Sequence, residues 1–140
     1  MKCTEHILHN CLYFTANALA RKITKMADEA FRPAGLSPSH AFIVMLVHDT
    51  PGIGPKKLGQ ALNLAPSTVT RFVDTLIHRG LATKKMTGKT TAITLTPDGE
   101  ALLGTIEAAW KTLHTRYSDI LGERNGEELT ARLDKASQLL

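Results

Sequence analysis

Within six residues, from Pro66 to Arg71, the chain carries Ser67, Thr68, Thr70 and Arg71. The hydroxyls both donate and accept hydrogen bonds, and the guanidinium presents a planar fork of donors. Such a set suits phosphate oxygens and the base edges exposed in a DNA major groove. Arg71 is expected to make the strongest single contact, to guanine or phosphate, with Ser67, Thr68 and Thr70 reaching base edges or phosphates beside it. Pro66 opens the helix that presents them. Lys56, Lys57, Arg79, Lys84, Lys85 and Lys89 surround this group and are expected to neutralise backbone charge without reading sequence. From Lys56 to Lys89 seven cations face one acid, Asp74, a net of +6. The whole chain of 140 residues carries +4, so everything outside that segment sums to −2. A basic excess confined to one segment is the footprint expected for a polyanion, with a merely solvated basic face as the bland alternative.

Other constellations carry less chemistry. Gly52-Ile53-Gly54-Pro55-Lys56-Lys57 superficially suggests a phosphate loop, but its spacing fits neither nucleotide fingerprint and no strand precedes it. Cys3, Glu5, His6, His9 and Cys11 form a run of metal-capable side chains, with His6 and His9 able to share a helical face and His114 or His40 as further donors. Metal sensing, cysteine oxidation, and a plain N-terminal helix with Cys11 as a small apolar residue all remain open for it. On a helix Cys3 and Cys11 lie ~12 Å apart, too far to bridge. Trp110, Tyr117, Tyr13 and Phe14 read as an apolar interface rather than a ligand cage, and Arg21, Phe42 or Met45 as the lining of an effector pocket. No nucleophile, base and orienting group recur together, so the sequence points away from an enzyme and calls for no cofactor.

The elements that position these residues follow from periodicity and punctuation. With 43% hydrophobic residues the chain suffices for one globular domain with a core. Residues 5–31 carry an apolar stripe at helical spacing, ended by Arg32-Pro33-Ala34-Gly35. Ser37 as N-cap and Pro38 at the first helical position open a second helix whose interior, Ala41 to Val47, should be buried. A third helix, about Pro55 to Leu62, turns Leu58, Ala61 and Leu62 inward. Asn63-Leu64-Ala65 is a turn held by buried Leu64. The fourth helix, about Pro66 to Arg79, buries Val69, Phe72, Val73, Leu76 and Ile77 and leaves Ser67, Thr68, Thr70, Arg71 and Asp74 outside. Two β-prone runs, Ala82 to Met86 and Thr90 to Leu95, flank a Thr87-Gly88 turn. Thr96 caps a helix that continues to Leu121, and a last helix carries Leu129, Leu133, Ala136, Leu139 and Leu140. Neither a signal peptide nor a transmembrane stretch is legible, which implies a cytoplasmic protein.

The order and spacing of these pieces resemble the MarR family of transcriptional regulators (multiple antibiotic resistance regulators). The resemblance runs through Leu36-Ser37-Pro38-Ser39, Leu58 to Leu62, Ser67 to Leu76, Arg79-Gly80-Leu81-Ala82 and Leu95-Thr96-Pro97-Asp98-Gly99, and spans nearly the whole chain. It implies a mainly α fold with a small β-hairpin wing. Residues 36–97 would form the winged helix-turn-helix lobe, and residues 5–31 and 98–140 the dimerisation helices. It further implies a homodimer that binds pseudo-palindromic double-stranded operator DNA and is released by a small-molecule effector, most often as a repressor. One feature departs from the family. Where members carry Asp-x-Arg in the wing, this chain has Thr87, Gly88 and Lys89, so the wing keeps a charge but loses arginine's fork and its acidic partner. That departure leaves room for a winged helix that docks onto proteins, and a zinc- or redox-sensing regulator of the same fold stands as a second alternative.

Overall fold

The computed structural model describes residues 3–140. Its elements are α1 (Thr4–His9), α2 (Leu12–Phe31), a 3-10 turn (Arg32–Ala34), α3 (Pro38–Asp49), α4 (Pro55–Leu62) and α5 (Pro66–His78). The hairpin strands β1 (Ala82–Thr87) and β2 (Thr90–Leu95) come next, followed by α6 (Pro97–Ala101), α7 (Leu103–Leu121) and α8 (Glu123–Leu139). The chain forms two compact units, one of residues 31–110 and one of residues 1–30 with 111–140. None of the described helices is long and apolar enough to cross a membrane.

The first unit has the winged-helix arrangement, helices α3 to α5 followed by the β-hairpin. It begins at Phe31, which is completely buried and meets Phe42 edge-on with ring centroids 5.7 Å apart. Ile43, Val44, Val47, Leu58, Val69, Leu76 and Ile93 fill the core from four elements. Ser37 caps α3 by accepting from the His40 amide at 3.3 Å, and Pro38 occupies the first turn where its missing N–H costs nothing. At the far end of α3, His48 Nδ1 lies 2.8 Å from Glu100 Oε2 on α6.

Helix α5 ends as its sequence demands. The Gly80 amide donates to the Ile77 carbonyl (2.9 Å) and the Leu81 amide to the Leu76 carbonyl (2.9 Å), the paired bonds of a Schellman motif. Thr96 then straps this turn to α6: its hydroxyl donates to the Gly80 carbonyl at 2.6 Å and accepts from the Gly99 amide at 3.2 Å.

Five local readings are corrected. The stripe of residues 5–31 is not one helix but breaks at Asn10 and Cys11, where the Asn10 side-chain amide donates to the His6 carbonyl at 2.8 Å and takes an acceptor from the ladder. The wing turns at Gly88-Lys89, not Thr87-Gly88: β1 extends to Thr87, which pairs with Thr90, and Gly88 takes the positive φ (60°) that a two-residue hairpin turn needs at its first central position. The Asp49–Pro55 loop contributes a strand position, with Ile53 bridging Ile93 at the root of the wing. Ala61 is exposed and Leu64 only half-buried, because Leu58 and Val69 already fill the space between α4 and α5. The helix from Thr96 is interrupted at Leu102, whose amide reaches back three residues to the Gly99 carbonyl (3.2 Å) before the α-helical ladder resumes.

In the second unit, α2, α7 and α8 enclose an apolar cavity of about 140 Å³ lined by Leu19, Ile23, Tyr117, Leu121, Leu129 and Leu133. An ion pair, Arg116 Nη1 to Glu29 Oε2 at 2.9 Å, ties α7 to α2 within it. Leu12, Tyr13, Ile120 and Leu139 remain about 70% exposed or more.

Candidate nucleic-acid interface

The helix-turn-helix is set by two glycine-like positions. Asn63 closes α4 with a left-handed conformation (φ 55°), which a short polar side chain tolerates better than an apolar one. Inside α4, Gly59 is buried, and a Cβ there would lie 2.6 Å from the Leu64 carbonyl oxygen. The Leu64 amide in turn donates to the Gly59 carbonyl at 2.9 Å. Only glycine lets the turn fold this closely onto the helix before it, and that closeness aims α5 outward.

Pro66 stands at the first position of α5. From there Val69, Val73 and Leu76 are buried, with Phe72 and Ile77 half-buried, so the core stripe is the one the spacing predicts. Ser67, Thr70 and Arg71 are exposed on the remaining side, and Thr68 is half-buried. The Thr70 hydroxyl donates to the Pro66 carbonyl at 3.0 Å, which commits its proton and leaves its oxygen to act as an acceptor.

The surrounding cations divide into two groups. All six are exposed; Lys56 and Lys57 lie in the opening turn of α4, Lys85 on β1 and Lys89 at the wing tip. Lys84 and Arg79 have internal partners. Lys84 Nζ lies 3.1 Å from Asp74 Oδ1, so the one acid of the basic segment is spent on the wing strand beside it. Alternation along β1 places Lys84 and Met86 toward α5, where they line a cleft with Thr70, Val73 and Asp74, and turns Lys85 to the opposite face. Arg79 Nη1 donates to the Gly35 carbonyl at 2.6 Å. A charge count gives all six cations the same role and does not show which of them find partners within the fold.

His40, which the sequence offered only as a distant metal donor, is instead part of the lobe. Its ring packs against that of Phe72 at a 40° tilt with centroids 4.5 Å apart, its Nδ1 is hydrogen-bonded to the Ser37 hydroxyl, and its Nε2 is buried. Burial, reinforced by the positive charge of Arg79, pushes its pKa below the usual histidine value. Among the described residues no group of three or more His, Cys, Asp or Glu is placed to hold a metal ion. Cys3 and Cys11 are free thiols, the first exposed and the second half-buried.

Residues 36–85 match the family model described as the MarR family. The fold as a whole is similar to solved structures of that family. The transcriptional repressor CouR bound to p-coumaroyl-CoA superposes with a TM-score of 0.87 at 20% identity, covering 100% of this chain and 99% of that one. The MepR–DNA complex of S. aureus gives 0.79 at 16% identity, covering 93% and 98%. The Mycobacterium tuberculosis protein Rv2887 in complex with salicylic acid gives 0.66 at 19% identity, covering 90% and 96%. No curated protein matches the chain.

Proposed function

We propose that this chain, whose residues 36–85 carry a MarR-family domain, is a dimeric, sequence-specific DNA-binding regulator of transcription that represses until a small-molecule effector releases it. The observation that carries this reading is the outer side of α5. Ser67, Thr70 and Arg71 are exposed at its N-terminal end, flanked by exposed Lys56, Lys57, Lys85 and Lys89. A helix-turn-helix presents its recognition helix to base edges by that end. Ser67, Thr68, Thr70 and Arg71 would read or position the sequence, and Lys56, Lys57, Lys85 and Lys89 would neutralise phosphates.

The dimer follows from α1, α2, α7 and α8. Large side chains such as Tyr13 and Ile120, exposed at 76% and 69%, form an apolar surface that a free monomer would leave in water. A second copy covering it would set two recognition helices about one turn of DNA apart, ~34 Å. An effector then acts by binding better to a dimer whose spacing does not match that distance. MepR has been solved with DNA, and CouR with a CoA thioester. We infer that a chain of the same architecture uses both kinds of partner, operator DNA and a small-molecule effector.

The test is binding to a palindromic duplex taken from the DNA upstream of the chain's own coding sequence, measured across salt concentrations. The expected result is nanomolar affinity that falls steeply with salt. Lys85→Ala should weaken binding to all duplexes alike and reduce the slope of log K against log salt by about 1. Indifference to DNA at low salt would sink the reading in favour of a protein-docking winged helix.

A further inference from the structure

We propose that Arg79 is a positioning residue, not a phosphate contact: it pins the C-terminal end of α5 to the turn by which the chain enters the lobe, and so sets the roll of the recognition helix. The inference rests on the DNA-binding reading above and assigns a role within it.

Three observations around one point carry it. Arg79 Nη1 donates at 2.6 Å to the carbonyl of Gly35, a residue 44 positions away that closes the 3-10 turn Arg32–Ala34. Gly35 has a φ of 67°, and a Cβ there would lie 3.4 Å from Arg79 Nη2, so the guanidinium lies directly over the glycine. Two residues on from Gly35, Ser37 caps α3 and binds His40, whose ring packs against Phe72 of α5.

Phe72 and Arg79 are seven residues apart, two helical turns, and therefore share a side of α5. The segment from Gly35 to His40 thus holds α5 at two points along its length, once by ring packing and once by a charge-assisted hydrogen bond. Two off-axis attachments along one side oppose roll of the helix about its own axis and also prevent the pivoting that a single attachment would allow. Roll is the motion that matters for reading bases. A side-chain tip ~6 Å from the helix axis moves ~1.5 Å for a roll of ~15°, enough to lose a hydrogen bond to a base edge. Arg79 also sits at the opposite end of α5 from Ser67 and Arg71, and its fork is turned back onto the lobe's own backbone.

The imidazole of His40 reports on this arrangement without any DNA present. With Arg79 held beside it, protonation of His40 places a second positive charge in the same partly buried space. NMR titration of His40 in the free protein should therefore show a midpoint that rises in Arg79→Ala and stays low in Arg79→Lys. An unchanged midpoint in Arg79→Ala would mean the guanidinium is not held at Gly35 in solution, and would overturn the proposal. The second measurement compares operator binding by wild type, Arg79→Ala and Lys85→Ala across salt concentrations. Arg79→Ala is expected to bind the operator about 5- to 30-fold more weakly with the wild-type salt slope, while Lys85→Ala lowers the slope by about 1. A slope lowered equally by Arg79→Ala would make it a phosphate contact, and unchanged affinity would remove it from binding altogether; either result overturns the assignment. Absence of DNA binding by the wild type would count against the DNA-binding reading alone, since the His40 titration still decides whether the pin exists.

Discussion

Gly99→Ala is expected to destabilise the fold by about 3 kcal/mol, at the upper end of what overpacking a core position costs. Gly99 is buried in the first turn of α6, and a Cβ there would lie 2.1 Å from the Leu81 carbonyl oxygen and 3.4 Å from Leu95 Cβ. The obstructing atom is backbone, not the end of a flexible side chain. It is also held in place, because the Leu81 carbonyl accepts from the Thr96 amide at 3.1 Å while the Thr96 hydroxyl bonds the Gly80 carbonyl. Relief requires α6 to lift from the end of α5, breaking the cap and the strap together. Urea unfolding measures the effect as a lower midpoint at unchanged slope. Gly104→Ala, with open space around it in α7, is the matched control and should be neutral or stabilising by up to ~1 kcal/mol through helix propensity. A loss below ~1 kcal/mol for Gly99→Ala would show that α6 yields readily and that its close approach to Leu81 is not a constraint.

Arg71→Ala should cost ~1 to 3 kcal/mol of operator affinity, roughly 5- to 150-fold, and relax specificity at the base pair it reads. Arg71 is exposed one helical turn beyond Ser67, and among the described residues no side chain is placed to engage its fork; its carbonyl accepts from the Thr75 hydroxyl at 3.1 Å. That distinguishes it from Arg79 and Lys84, whose cationic groups already have partners. Arg71→Lys should recover the charge but little of the discrimination, because an ammonium cannot present two coplanar donors to one guanine. The comparison needs both the operator and an unrelated duplex. Equal losses on the two would place Arg71 on phosphate, and no loss on either would take it out of the interface. The wing raises the expected size of the effect: with Lys89 at Gly88's turn in place of arginine, less base reading is available elsewhere in the lobe.

Much of this was legible in the chain itself because it depends on local order. Ser37-Pro38 and Thr96-Pro97 are cap-and-proline starts whose energetics involve only neighbouring residues, and both helices begin there. The buried stripe of α5 follows from a period of 3.6, so the exposed set Ser67, Thr70 and Arg71 followed as well. The resemblance to MarR-type regulators rested on the spacing of such starts and stripes, which survives low sequence identity. The break at Asn10 was missed, because a local side-chain bond to the His6 carbonyl competes there with the helix ladder, and the turn at Gly88 was misplaced by one residue.

What residue order determined unaided is therefore the set of elements, the buried side of each, and a basic, hydroxyl-bearing helix turned outward. These follow from propensity, period and charge, which act over a few residues. Tertiary structure alone decided how the charges are used and which glycines are indispensable. Arg79 meets Gly35 across 44 residues and Lys84 meets Asp74 across a helix-to-strand turn, so two of six equivalent-looking cations have partners within the fold. Gly59 and Gly99 sit within helical stretches where glycine is locally unfavourable, and each is required because a backbone carbonyl from outside its helix, that of Leu64 in the next turn or of Leu81 eighteen residues back, stands too close to admit a Cβ. Such contacts depend on where two backbones come together in space, and that distance is a property of the assembled fold.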